Sequence, residues 1–283
     1  MLLNTVSGIN NLVTIQKDKR TGIVYRKWAS PAPKGIFLLV HGLGAHSERW
    51  EFLSGYFLKN NISSYAIELK GFGETEGLRG HIDSFKSYFK DIESLRDIVG
   101  KENPGKKIFL LGESMGGLIS FVLSAVKPAL FDGLICISPA FRGRLKLGVL
   151  GYIKIISLLI YNSRKHLNIP FSSDMCTRDT DYRKAMEGDK REHRFATAKL
   201  LFEMMLAQIK SNILKRRIKM PILFLLSGED KMVDPGTSKK IFEGIGINDK
   251  TLIEYPGMYH ALSIDIGRER VFGDMLKWLQ ERI

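Results

Sequence analysis

Ser114 stands in the run LLGESMGG, residues 110–117, bracketed by glycines directly after an apolar stretch. A serine hydroxyl is a poor nucleophile at neutral pH and acts beside a base, usually histidine, that a carboxylate holds in place. The residues before it, KKIFLL, have the composition of a buried strand, and those after it, GLISFVLSAV, that of a helix. A serine at such a junction is lifted above the sheet, and the crowding there requires Gly112 and Gly116, where a Cβ would clash. The helix that follows also aims its positive N-terminal end at the site. This context favours a nucleophile over an ordinary turn serine.

On this arrangement the partners follow in the order carboxylate, then histidine, each at the end of a later strand. Of the six histidines only His260 lies beyond the strand-like run PILFLLSGED, just past a second run, TLIEYPG. Asp230 ends the first run, with Glu229 and Asp234 nearby. Asp230 is favoured as the first aspartate after the strand, whereas Asp234, directly before Pro235, reads as a helix cap. Acyl transfer also needs two N–H donors aimed at the developing oxyanion. Met115, next to the serine, supplies one, and Leu43, in the glycine-bracketed turn of HGLGAHSERW, supplies the other. His41 precedes the serine in the chain and is read as ordering that loop, not as a base.

The elements that must position these groups follow from period and punctuation. LVTIQ and GIVYRKW read as an opening antiparallel pair; GIFLLVHG, SSYAIEL, KKIFLLGES, GLICISPA, PILFLLSGED and TLIEYPG read as buried strands. Helical patterns lie between them, one carrying Ile82, Phe85, Tyr88, Phe89, Ile92 and Leu95 on one face. Others begin after Ser47, Ser114 and Pro235, and the last runs to Trp278. Such alternation predicts an α/β fold with a mostly parallel sheet covered by helices on both faces, its sites gathered at the carboxyl ends of the strands. The alternation stops over residues 142–219, which show helical patterns but no convincing strand. The expected organisation is a core of residues 1–141 and 220–283 with a helical cap, 142–219, inserted. In the cap, Ala198, Leu201, Phe202, Met205 and Ile209 recur at helical spacing and are expected to face the core.

The net charge is +13, and between Arg142 and Lys219 there are 18 Lys and Arg against 7 Asp and Glu, so most of the excess sits in the cap. No aromatic-basic interleaving accompanies it, which argues against nucleic acid as a partner. The two cysteines, Cys136 and Cys176, lack a CxxC partner or a nearby histidine pair, which points to a reducing compartment and to no structural metal. The N-terminus lacks a basic region followed by a long apolar one, so a cytoplasmic protein is expected.

Together these residues resemble the α/β-hydrolase superfamily, in particular its monoacylglycerol lipase and lysophospholipase-like branch. The blocks HGLGAHSERW, ELKGFGETEGLRGHIDSF, GESMGG, SGEDKMVDP and YPGMYHALSID match that branch in order, and IPFSSDMCTRD in the cap is similar to its stretch there. The resemblance implies the triad Ser114, Asp230 and His260, with the N–H groups of Leu43 and Met115 as the oxyanion hole. It implies substrates with one acyl chain on a small alcohol, the chain lying in an apolar tunnel under the cap. Arg49 matches a position that helps bind the glycerol end. Three residues depart from the pattern: Ala45 stands where some members carry an acidic residue, Ser263 where some carry a second histidine, and Gly71-Phe72-Gly73 replaces a usual GHG.

The cap segment LGVLGYIKIISLLIY, residues 147–161, is too short to span a bilayer and is interrupted only by Gly151, Lys154 and Ser157. One reading is a lid, with Ile153 and Ile156 touching the acyl chain. The other is an interfacial helix whose flanking Arg142, Arg144, Lys146, Arg164 and Lys165 meet anionic lipid. The expected activity is a cofactor-free serine esterase acting on monoacylglycerols or lysophospholipids. The alternatives are an acyl thioesterase, with the basic cap docking a carrier protein or coenzyme A, and a non-catalytic lipid-binding protein.

Overall fold

Continuous apolar runs become strands because only a doubly covered sheet buries both sides of such a run. In the computed structural model, which describes residues 13–144 and 149–283, the strands are β1 (Val13–Lys17), β2 (Val24–Trp28), β3 (Gly35–Val40), β4 (Ile62–Ile67), β5 (Ile108–Glu113), β6 (Gly133–Ile137), β7 (His166–Asn168), β8 (Phe195–Thr197), β9 (Ile222–Ser227) and β10 (Lys250–Tyr255). Eight of them form one sheet in the order β1-β2-β4-β3-β5-β6-β9-β10. The β1-β2 and β2-β4 pairs are antiparallel and the rest are parallel. Leu12 and the rest of the N-terminal stretch lie outside the described residues.

Every residue of β3, β4, β5, β6 and β9 is buried. Their side chains alternate between two cores, as the two-residue period of a strand demands. Ile36, Leu38 and Val40 of β3 face one side of the sheet, and Phe37 and Leu39 the other. The helices are α1 (Glu51–Lys59), α2 (Phe85–Glu102), α3 (Met115–Val126), α4 (Val149–Tyr161), α5 (Ser173–Cys176), α6 (Thr180–Gly188), α7 (Ala198–Leu214), α8 (Pro235–Glu243) and α9 (Arg268–Gln280). The first core takes residues of α2, α3 and α7; the second takes residues of α1 and α9. The helix read from Ile82 onward starts at Phe85, because Ser84 caps it by accepting the N–H of Lys86; Ile82 is still buried in the core.

Between β6 and β9 no described strand joins the central sheet, but β7 and β8 pair as a separate antiparallel ribbon that the sequence patterns did not reveal. Three residues per strand are too few to show a period. In α7 the buried residues are Ala198, Leu200, Leu201, Glu203, Ala207 and Ser211, whereas Ile209 is exposed. Of the expected face, Ala198 and Leu201 are buried and Phe202 and Met205 pack partly buried against the core, so of these five only Ile209 falls outside it. Two backbone hydrogen bonds join the residues between β6 and β9 to the loops after β9 and β10. Asp234 donates its N–H to the carbonyl of Arg142 (2.9 Å), and Ala261 donates to that of Cys176 (2.9 Å).

Candidate active site

The end of β5 and the start of α3 meet at Ser114, whose backbone is left-handed, with φ 57° and ψ −120°. A non-glycine residue held there stores strain that the surroundings must offset. Three hydrogen bonds pin it: its N–H donates to Ile137, and its carbonyl accepts from Leu118 and Ala140. The two glycines are required by contact. A Cβ on Gly112 would lie 2.3 Å from the carbonyl oxygen of Gly116, and one on Gly116 would lie 2.0 Å from that of Val40.

His260 and Asp230 are buried beneath the same end of the sheet, with Nδ1 of the imidazole 2.8 Å from Oδ2 of the carboxylate. The other carboxylate oxygen accepts the N–H groups of Met232 and Val233, each at 2.8 Å. The Asp230 carboxylate is thus an acceptor on both sides, which places the imidazole proton on Nδ1. Nε2 of His260 is left buried and without a hydrogen-bond partner. Burial alone would push the His260 pKa down, but the Asp230 charge and hydrogen bond outweigh it and raise the pKa above 6.5. Asp230 responds in the opposite sense: burial would raise it, and His260 holds it below 3.8. A neutral Nε2 poised this way can accept a proton from a nearby hydroxyl.

A cavity of about 320 Å³ opens over these groups, and Leu43, Arg49, Glu113, Ser114 and His260 all border it. Phe171, Cys176, Met186, Glu192 and His193, all between β6 and β9, also line it. Gly42 brings the loop after β3 against the serine, since a Cβ there would lie 3.2 Å from that of Ser114. Met115 is the first residue of α3, so its N–H has no carbonyl one turn back to bond. His41 stays out of the cavity and orders the loop: Nε2 accepts the N–H of Leu69 (3.0 Å), so Nδ1 donates to the carbonyl of Gly42 (2.9 Å). Asp234 caps α8 by accepting the N–H of Gly236 (3.1 Å).

Arg49 is buried at the cavity wall, where it pairs with Glu192 of the cap and lies 5.9 Å from the ring of Tyr182. Burial would lower its pKa, but the Glu192 carboxylate overrides this and keeps the guanidinium charged. Further polar contacts continue outward. His46 Nε2 lies 3.0 Å from Asp189, and Arg191 bridges Asp189 and Glu48 at 2.6 Å each. Burial holds the His46 pKa down at about 4, so at neutral pH it donates as an uncharged imidazole.

Two residues expected to touch substrate do not border the cavity. Ile153 and Ile156 are 56% and 49% exposed, while Ile155 is the residue of α4 that turns inward, at 1%. A helix that is apolar nearly all round leaves its orientation undetermined in sequence, and α4 settles on α7 through a different face. Lys146, at one end of this segment, lies outside the described residues. Sequence patterns also left three contacts unread. Glu113 is buried next to Ser114, Glu192 neutralises Arg49, and Phe72, the departure from GHG, stacks on His193 at 5.1 Å. Among the described residues no group of His, Cys, Asp or Glu is arranged to hold a metal ion.

The chain matches the profile of the serine aminopeptidase S33 family over residues 31–267. It is 28% identical to the human monoglyceride lipase over 258 residues, covering 88% of this chain and 84% of that protein. It is 27% identical to a phospholipase of Bacillus subtilis, covering 87% and 95%. Among solved structures, the monoacylglycerol lipase of Paleococcus ferrophilus superposes with a TM-score of 0.85 at 27% identity, covering 92% of this chain and 99% of that one. A soluble variant of the monoglyceride lipase of Saccharomyces cerevisiae, bound to a substrate analogue, shares the fold with a TM-score of 0.84 at 21% identity, each chain 96% covered. With its elbow serine, its sheet order and a family match over most of its length, the chain belongs to the serine aminopeptidase S33 family of α/β-hydrolases.

Proposed function

We propose that this protein is a serine hydrolase of esters carrying a single acyl chain, of the monoacylglycerol or lysophospholipid type. The observation that carries the reading is Nε2 of His260, left without a hydrogen-bond partner on a buried, Asp230-held ring that borders the same cavity as Ser114. Ser114 attacks the ester carbonyl as Nε2 takes its proton, and the N–H groups of Leu43 and Met115 receive the oxyanion. His260 then returns the proton to the leaving alcohol, and the same ring activates the water that releases the fatty acid. Asp230 keeps the ring in the productive tautomer throughout.

Residues 142–219 act as the cap. Phe171 and Met186 from the cap and Met232 from the core give the cavity apolar walls for the acyl chain, while Arg49 and Glu192 form its polar end. The relatives' names, monoglyceride lipase and phospholipase, support an acyl ester as substrate. Among the described residues no helix is long and apolar enough to cross a membrane. The exposed side of α4 is nonetheless strongly apolar: Leu150, Ile153, Ile156 and Ile160 recur along one face, at 81%, 56%, 49% and 78% exposure. With exposed Lys154, Arg164 and Lys165 beside it, this face fits peripheral docking on an anionic lipid surface.

The test is a panel of 1-monoacylglycerol, lysophosphatidylcholine, acyl-coenzyme A and an aminoacyl nitroanilide, the first three matched in chain length. Each is run with and without phosphatidylglycerol vesicles. Monoacylglycerol or lysophospholipid is expected to give the highest kcat/KM, increased by vesicles in the wild type and not in Ile153→Asp. Preference for the thioester or the nitroanilide would overturn the substrate class, and vesicle indifference would overturn the docking face.

A further inference from the structure

Glu113, the residue directly before the nucleophile, is a carboxylate that the triad chemistry leaves unused. It is buried, borders the cavity, and has hydrogen bonds on both oxygens from one residue of the His260 loop. Oε1 accepts the N–H of Ser263 (3.1 Å) and Oε2 accepts its hydroxyl (2.8 Å). These bonds join the elbow at the end of β5 to the loop after β10, across 150 residues of chain. An ionised group in such a place is costly unless charge and hydrogen bonds compensate it.

We propose that Glu113 is a second carboxylate of the catalytic centre, a positioning residue that fastens the His260 loop through Ser263 and favours the imidazolium that forms during acyl transfer. The inference rests on the triad reading above. The charged and titratable groups around it are His260, Arg49, Cys176 and Tyr182, and Asp230 holds the imidazole at Nδ1. Burial raises the Glu113 pKa above 4.5, and His260, Ser263 and Arg49 offset only part of that rise. The Glu113 charge in turn acts on His260 in the same direction as Asp230, and Arg49 opposes both. Asp230 selects the tautomer; Glu113 adds field and holds the loop in register with the serine.

Glu113→Gln tests this with little change of shape. The amide oxygen keeps the Ser263 N–H, and the hydroxyl of Ser263 turns to accept from the new NH2. Loss of the charge is expected to move the acid limb of the kcat/KM profile down by about one pH unit and to lower kcat about tenfold. KM for p-nitrophenyl butyrate stays unchanged, because Glu113 acts through His260 and not on the substrate. A wild-type acid limb with wild-type kcat overturns the proposal, as does a loss confined to KM. If the Gln variant does not fold, Ser263→Ala carries the test: it removes one bond to the carboxylate and should lower kcat at constant KM, and a wild-type kcat there overturns the proposal. Failure of the triad reading is distinguishable, since it appears as turnover retained in Ser114→Ala whatever happens at Glu113.

Discussion

Replacing Asp230 by Asn keeps the volume of the side chain and changes which atom of His260 carries the proton. The carboxylate accepts two N–H groups, from Met232 and Val233, on Oδ1 and the imidazole Nδ1–H on Oδ2, all at 2.8 Å. An amide has only one acceptor oxygen, and the two backbone donors compel it to lie on their side. The amide NH2 then faces Nδ1, which must accept, so the ring proton moves to Nε2. An Nε2 that already holds a proton cannot take one from Ser114. The loss expected of such a tautomer reversal is about 10⁴-fold in kcat, equivalent to about 5.5 kcal/mol in the barrier. The assay is steady-state hydrolysis of p-nitrophenyl butyrate by Asp230→Asn, with thermal unfolding to establish that the fold is intact. Asp234→Asn is the control, because Asp234 bonds Gly236 and Thr237 at the start of α8 and should leave kcat unchanged. A folded Asp230→Asn enzyme within tenfold of the wild type would refute the tautomer argument.

Other outcomes follow from the same geometry. Activity needs a neutral imidazole, and Asp230 raises the His260 pKa, so kcat/KM should climb with pH through a limb above 6.5; a limb below that value contradicts the pairing. Gly116→Ala pushes a Cβ into two backbone oxygens, at 2.0 and 2.6 Å, and overpacking of this kind costs about 2 kcal/mol, visible as a drop of several degrees in Tm. Gly55→Ala, in the helix α1 with nothing within 4 Å, should instead stabilise by about 0.7 kcal/mol, and equal effects of the two would be contrary to the elbow's packing. Glu192→Ala strands the buried Arg49 guanidinium and should cost about 3 kcal/mol in urea unfolding, whereas a change below about 0.5 kcal/mol would show the pair to be dispensable.

The sheet was legible because its central strands β3, β5, β6 and β9 are nearly unbroken apolar runs separated by glycine, proline and polar turns. The pairing of Asp230 with His260 beside the cavity that Ser114 borders was legible because their order along the chain leaves few choices once the strand-serine-helix junction is recognised. The parts that escaped depend on neighbours far away in sequence. Glu113 looks like a strand-end residue until Ser263 meets it, and Phe72 has no evident reason until His193 stacks on its ring. The direction of α4 was hidden by composition: Ile155 turns inward and Ile153 outward on a helix with almost no polar stripe to set its phase. The β7-β8 ribbon is held by its pairing across residues 166–168 and 195–197, which neither segment specifies alone.

The decisive measurement is the intact mass and peptide map of the protein after treatment with a fluorophosphonate, made on the wild type and on Ser114→Ala. One adduct per chain on Ser114, none on Ser114→Ala, and loss of ester hydrolysis in both the labelled and the substituted protein are expected. Label on another residue, or turnover retained by Ser114→Ala, would contradict the assignment of the elbow serine as the nucleophile.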